Sequence, residues 1–194
     1  RSLALPAAPN AQNNYYPSWL FKYVTEVYGM LRFEHDFTPD ITAYAKVGGR
    51  RTNGAFALAF PTITNSSGAI TAAPNNNLNF NEAVSADTGV RARFATGPVK
   101  HEAVISGQML STWTGSVTRA LPAFTSNIYT PGLPPGPNFY PSLPWPPLTA
   151  QQVLKSIGVI DAMSAMEERI QLIGGVRWQA AQVSTWSGTT GQPT

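Results

Sequence analysis

Apolar and polar residues alternate over the fifteen positions from Tyr23 to Phe37, and the same pattern returns in two later hairpins. Short turns close these hairpins at one end, and long connections join them at the other. Together these observations predict an all-β chain, an antiparallel meander of about six long strands that is part of a transmembrane β-barrel. Strand length is the first argument, because a globular strand usually has about 5 or 6 residues. Fifteen residues at about 3.3 Å each reach roughly 50 Å, and tilted by about 45° they still rise roughly 35 Å, enough to cross a bilayer core. A long hairpin in a soluble sandwich, with its apolar face against a second sheet, shows the same alternation.

Residues 1 to 20 are polar, contain Asn and Pro, and lack a period, so they read as a loop feeding the first strand. In that strand Leu31, Phe33, His35 and Phe37 share one face, and Glu26, Arg32, Glu34 and Asp36 share the other. Thr38-Pro39-Asp40 forms a three-residue turn that sets Phe37 across from Ile41 and places Lys46 and Tyr44 beside Arg32 and Glu34. Beyond Arg51 the alternation dissolves, and residues 52 to 83 read as a long connection with a turn at Asn65-Ser66-Ser67-Gly68 and an Asn-rich run from Asn75 to Asn81. Part of that connection is suited to extend the flanking strands beyond the membrane.

A second hairpin pairs Val84 to Phe94 with Val99 to Met109 around a four-residue turn, Ala95-Thr96-Gly97-Pro98, which sets Arg91 across from Glu102. Residues 111 to 149 hold nine of the 17 prolines together with Trp113, Phe124, Tyr129, Phe139, Tyr140 and Trp145. Proline at that density forbids a regular central strand, which leaves either an extended linker or a structured, ligand-facing loop. The last pair runs from about Val153 to Ser184, and a three-residue turn at Ala165 to Glu167 keeps Asp161 off the apolar face. A helix over Leu148 to Glu168 competes there, because Ala, Met, Glu and Gln are abundant. The asymmetry of turns decides between membrane barrel and sandwich, since sandwich loops are of comparable length at both ends.

Composition excludes several function classes. Charged residues make up 12%, and 13 basic against 10 acidic side chains are spread without a basic block, so nothing points to nucleic acid. No run approaches 18 apolar residues, which excludes a membrane-spanning helix and says nothing against a barrel. The absence of cysteine excludes disulfides and Cys-ligated metal or haem. His35 and His101 fall on the apolar face near short turns, a poor setting for a metal ligand. No Ser-His-Asp order, phosphate-binding Gly-rich loop or HExxH helix is present, so neither a catalytic residue nor a cofactor is expected. A chain that starts at Arg1 and enters loop-like sequence is expected to be a piece of a longer or processed protein.

Tyr28-Gly29-Met30-Leu31-Arg32-Phe33-Glu34-His35-Asp36-Phe37-Thr38-Pro39-Asp40 resembles a hairpin of the TonB-dependent siderophore receptors. The run Thr88 to His101 is similar to the next hairpin, and Glu168 to Arg177 resembles a strand that recurs in them. The resemblance covers about residues 20 to 180 and rests mostly on barrel-wall motifs. It implies an outer-membrane barrel of 22 strands, plugged by an N-terminal domain, that imports ferric siderophores with energy from the TonB complex. Residues 1–194 have room for about six strands as a partial barrel domain, without the plug domain through which TonB would act. The expected partners are a ferric siderophore, the TonB complex and outer-membrane lipid. Iron would stay with its chelator, so no protein metal ligand is expected.

Candidate ligand contacts are Arg50 and Arg51, which follow Gly48-Gly49 at the loop end of a strand, and Trp113, Tyr129, Tyr140 and Trp145 near the mouth. Snorkelling or lipopolysaccharide contact at the membrane rim is the competing reading for the arginines. A passive outer-membrane pore and a soluble β-rich carbohydrate-binding module are the alternatives for the whole.

Overall fold

The computed structural model describes residues 6–12, 16–132, 134–136, 142–188, 190 and 192–194. Its strands are β1 (Phe21–Thr38), β2 (Ile41–Ile63), β3 (Ala69–Thr96), β4 (Val99–Ala120), β5 (Phe124–Asn127), β6 (Leu148–Ala165) and β7 (Ile170–Thr185). They form one seven-stranded sheet in the order β1-β2-β3-β4-β6-β7, with the short β5 paired to β3. The expected meander of six long strands is therefore observed, and no helix occurs among the described residues. Leu148–Ala165, where a helix competed, is strand β6, because its alternation pairs it residue for residue with β7. No described helix is long and apolar enough to cross a membrane, which leaves strand crossing open.

The chain divides into two compact units. One comprises Glu26–Thr52, Asn81–Thr114 and Leu148–Thr194, and it holds the turns of the three hairpins expected from the sequence. Within it, large apolar side chains on alternate positions stand free of any covering layer: Leu31 is 74% exposed, Phe33 66%, Val90 44% and Leu172 62%. A soluble sandwich would have buried this face under a second sheet. The opposite face carries a ladder of ion pairs that crosses from strand to strand. Glu34 accepts from Arg32 at 2.6 Å and from Arg91 at 3.1 Å, Lys46 meets Asp87 at 3.4 Å, and Arg93 meets Glu102 at 3.0 Å. Arg177 adds hydrogen bonds to Gln108 and Ser156 on the same face. Exposed pairs of this kind contribute little individually, but a slip of one residue would throw every one of them onto the apolar face.

The first hairpin keeps the expected register. Asp36 accepts from the Thr42 hydroxyl at 2.6 Å, and Glu26 accepts from Thr52 at 2.8 Å, as they must if Phe37 lies across from Ile41. The second hairpin differs: its turn is the two-residue Gly97-Pro98, and the strands continue through Ala95, Thr96 and Val99. Gly97 has φ +61°, the left-handed conformation that a two-residue hairpin asks of its first central residue. Shifting the pairing by two residues preserves both faces, so Glu102 meets Arg93 instead of the expected Arg91, which is freed to reach Glu34.

The third turn also differs from the three-residue Ala165 to Glu167. Ala165 pairs with Ile170, leaving the four residues Met166–Arg169 as the turn. Asp161 accordingly lies across from Gly174, on the apolar face. It is accommodated there by His101, whose Nδ1 lies 2.7 Å from Asp161 Oδ2 and whose Nε2 lies 2.7 Å from the Thr96 hydroxyl. Phe94 stacks on the imidazole with ring centroids 4.6 Å apart.

The other unit comprises Arg1–Thr25, Asn53–Phe80 and Gly115–Pro147. Most of the connection expected over residues 52 to 83 is strand here: β2 runs to Ile63, β3 starts at Ala69, and only the expected Asn65-Ser66-Ser67-Gly68 turn separates them. Asn65 Oδ1 closes that turn by accepting from the Ser67 and Ala69 amides, and Gly68 supplies φ +81°. Polar side chains need not break a strand when they bond to one another. Asn77 donates to Ser116 and Thr118 at 2.8 and 2.6 Å, and Asn79 donates to Asn77 at 2.8 Å. Small side chains fill the core of this unit, Ala57, Ala59, Ile70 and Ala72 being at most 4% exposed and Pro74 fully buried. The connection expected over 111 to 149 is likewise shorter, because β4 continues to Ala120 and β5 pairs Phe124–Asn127 with Ala69–Ala72. Trp19 ties the N-terminal segment to the Pro-rich one, donating its indole N–H to the Pro134 carbonyl at 3.1 Å and meeting the Phe124 ring edge-on.

Candidate ligand-facing site

Arg50 and Arg51 are adjacent residues of a strand, so they point to opposite faces. Arg50 lies on the ionic face, donating to Asn81 Oδ1 at 3.0 Å and standing 3.9 Å from Glu26. Arg51 lies on the apolar face, 3.4 Å from Glu82, and shares a notch there with Trp113. The two arginines therefore do not form a joint anion clamp, whereas Arg51 and Trp113 are brought together.

Tyr129 and Trp145 belong to the other unit. The Tyr129 hydroxyl donates to the Ala7 carbonyl at 2.8 Å, and its amide donates to Asn127 Oδ1. Trp145 stacks on Phe80, ring centroids 6.0 Å apart and planes within 10°, and remains 63% exposed. Tyr140 lies outside the described residues.

Sequence reasoning passed over the most enclosed aromatic of the ionic face. Tyr44 is only 7% exposed, with Arg91 4.9 Å and Lys46 5.0 Å from its ring centre. Its ring lies over Gly89 of the next strand, where an added Cβ would come within 2.8 Å of the hydroxyl. The signal was present in the sequence, as an aromatic at a polar-face position opposite a glycine. Among the described residues no group of three or more His, Cys, Asp or Glu could hold a metal ion. What the ionic face offers is a fixed array of donors, acceptors and one clamped aromatic, suited to recognition of polar groups.

A sheet of long strands with one apolar and one ionic face, its charges laddered from strand to strand, is the wall of an outer-membrane β-barrel, and the particular walls it matches are those of TonB-dependent siderophore receptors. The ferrichrome receptor FcuA of Yersinia enterocolitica is 28% identical over 181 residues, covering 92% of this chain and 24% of the receptor. The structure of BauA, the ferric preacinetobactin receptor of Acinetobacter baumannii, superposes with a TM-score of 0.78 at 28% identity, over 93% of this chain and 28% of that one. The siderophore receptor PiuA of the same organism shares the fold, with a TM-score of 0.71 at 14% identity over 92% of this chain and 29% of that chain. No protein-family model matches the chain. The chain thus spans about a quarter of the length of the curated relative it matches. These relatives are receptors and transporters, not enzymes, and they are outer-membrane proteins of Gram-negative bacteria.

Proposed function

We propose that residues 1–194 form a partial barrel domain in a receptor that imports ferric siderophores across the outer membrane. Uptake would draw on the TonB complex through a plug domain outside these residues. The observation that carries this reading is the two-faced sheet: apolar residues such as Leu31, Phe33 and Val90 stand uncovered while the opposite face is laddered with ion pairs. The matches to siderophore receptors support the ligand class. Arg50, on the ionic face, and the aromatics Tyr129, Tyr140 and Trp145 are the proposed ligand contacts, by cation contact and stacking on a chelate. Arg51 and Trp113 would turn towards lipid. In this reading the segment carries out recognition and no reaction.

Uptake of radiolabelled iron as a siderophore complex tests the proposal, with the full-length receptor expressed in an outer membrane lacking its own uptake systems. Uptake that requires TonB is the expected result. Uptake that persists without TonB would make the protein a passive pore, and recovery of the full-length protein in the soluble fraction would make it a soluble binder.

A further inference from the structure

Three unfavourable features meet at Asp161, and neither the register of the sheet nor the proposed uptake requires them. Its carboxylate stands on the apolar face, across from Gly174. One of its oxygens, Oδ1, is buried and has no hydrogen-bond partner among the described residues. The turn that puts it there holds Met166, Glu167 and Glu168 at φ 54°, 58° and 67°, a left-handed conformation that residues with a Cβ resist. A buried unpaired oxygen and a strained turn mark places where function holds groups against their own preference.

What Asp161 holds is His101. The Nδ1 of His101 lies 2.7 Å from Asp161 Oδ2, and its Nε2 lies 2.7 Å from the Thr96 hydroxyl. With Nδ1 donating to the carboxylate, a neutral imidazole keeps its lone pair on Nε2 and accepts from Thr96. Hydroxyl, imidazole and carboxylate in that order turn an alcohol into a nucleophile. Phe94 lies flat on the imidazole, planes within 3° and centroids 4.6 Å apart, and the His101 side chain is only 12% exposed. Thr96 is exposed beside Gly97, where nothing lies within 4 Å of the place a Cβ would take, so the hydroxyl is open to approach. The Gly97 amide belongs to the turn and not to the strand ladder, which leaves its N–H to donate to an oxyanion. Thr96 ends β3, and Phe37 and Phe94 stand at the same end of the sheet, as an aromatic girdle does where acyl chains meet headgroups. The ester linkages of glycerophospholipids lie at that level.

We propose that Thr96, His101 and Asp161 form a hydrolytic site for the carboxylic esters of glycerophospholipids in the leaflet on the short-turn side. Thr96 Oγ1 would pass its proton to His101 Nε2 and attack the ester carbonyl, whose oxyanion the Gly97 amide would meet. The bond from the acyl carbon to the glycerol oxygen breaks, and the lysolipid leaves with the proton from Nε2. Water then attacks the acyl-Thr96 ester by the same route and releases the fatty acid, so the sum is one ester and one water to one alcohol and one acid. Asp161 acts as a positioning residue, holding the imidazole and balancing its charge when it is protonated. The inference goes beyond uptake and needs only that the apolar face stands in lipid.

The test is release of labelled fatty acid from phosphatidylethanolamine vesicles carrying the full-length receptor. Thr96→Ala should lower release about a thousandfold, while Thr96→Ser should keep it within about tenfold. Asp161→Asn should lower kcat about a hundredfold or more with KM unchanged, a split that a loss of folding would not produce. A fluorophosphonate should label the unaltered receptor on Thr96, a readout that needs no variant to fold. No release above protein-free vesicles, equal release from the Thr96→Ala receptor, or a fluorophosphonate adduct that is absent from Thr96 would overturn the proposal. TonB-dependent iron uptake should be unchanged in Thr96→Ala, so failure of the hydrolytic site and failure of the uptake reading are told apart.

Discussion

Tyr44 shows how a single side chain organises the ionic face. Its ring fills the space left by Gly89 and presents its surface to Arg91 and Lys46, so four strand positions are fixed by one aromatic. Replacing Tyr44 with Ala removes a nearly buried ring, and the expected cost is about 3 kcal/mol, measured by urea unfolding of the full receptor in lipid vesicles. The turns make two further predictions at this scale. Gly97→Val places a β-branched residue at φ +61° and should destabilise by about 1 to 2 kcal/mol. Met166, Glu167 and Glu168 all hold φ between 54° and 67° without being glycine, so Glu167→Gly is expected to stabilise by about 1 kcal/mol, with the opposite sign to the usual effect of glycine. Unfolding midpoints of the two variants check both.

Strands were legible where their two faces differ in chemistry. Leu31 to Phe37 and Val84 to Phe94 announce themselves because every charged residue in them falls on one set of alternate positions. The Asn-rich run from Asn75 to Asn81 does not, because its polar side chains find partners across the sheet, Asn77 in Ser116 and Thr118, and such partners are invisible in a linear pattern. The same limit governed the turns. Placing Ala95-Thr96 in the turn cost nothing in face assignment, since the true pairing is displaced by two. The last turn was displaced by an odd number, because keeping Asp161 off the apolar face ignored His101, which pairs with one of its two carboxylate oxygens there. The element-scale prediction follows from the faces. Val90→Arg, on an apolar-face position well inside β3, should cost about 2 to 4 kcal/mol in lipid vesicles, while Arg91→Val, one residue on, should cost far less.

For the molecule, the class was legible because barrel walls are built from a repeating rule, and the ligand contacts were not because they depend on how long connections fold. Arg50 and Arg51 read as a pair in the sequence yet face opposite ways. Tyr129 spends its hydroxyl on the Ala7 carbonyl, a contact between residues 122 positions apart. The central claim, that the apolar face meets hydrocarbon and the ionic face a lumen, is tested most directly by spin labels placed one at a time along β1 of the full-length receptor in lipid vesicles. Labels at Val27, Leu31 and Phe33 should be relaxed by oxygen dissolved in the bilayer, and labels at Tyr28, Arg32 and Glu34 by a water-soluble nickel chelate. Oxygen accessibility that fails to alternate with a period of two, or that peaks at Arg32 and Glu34, would contradict the account.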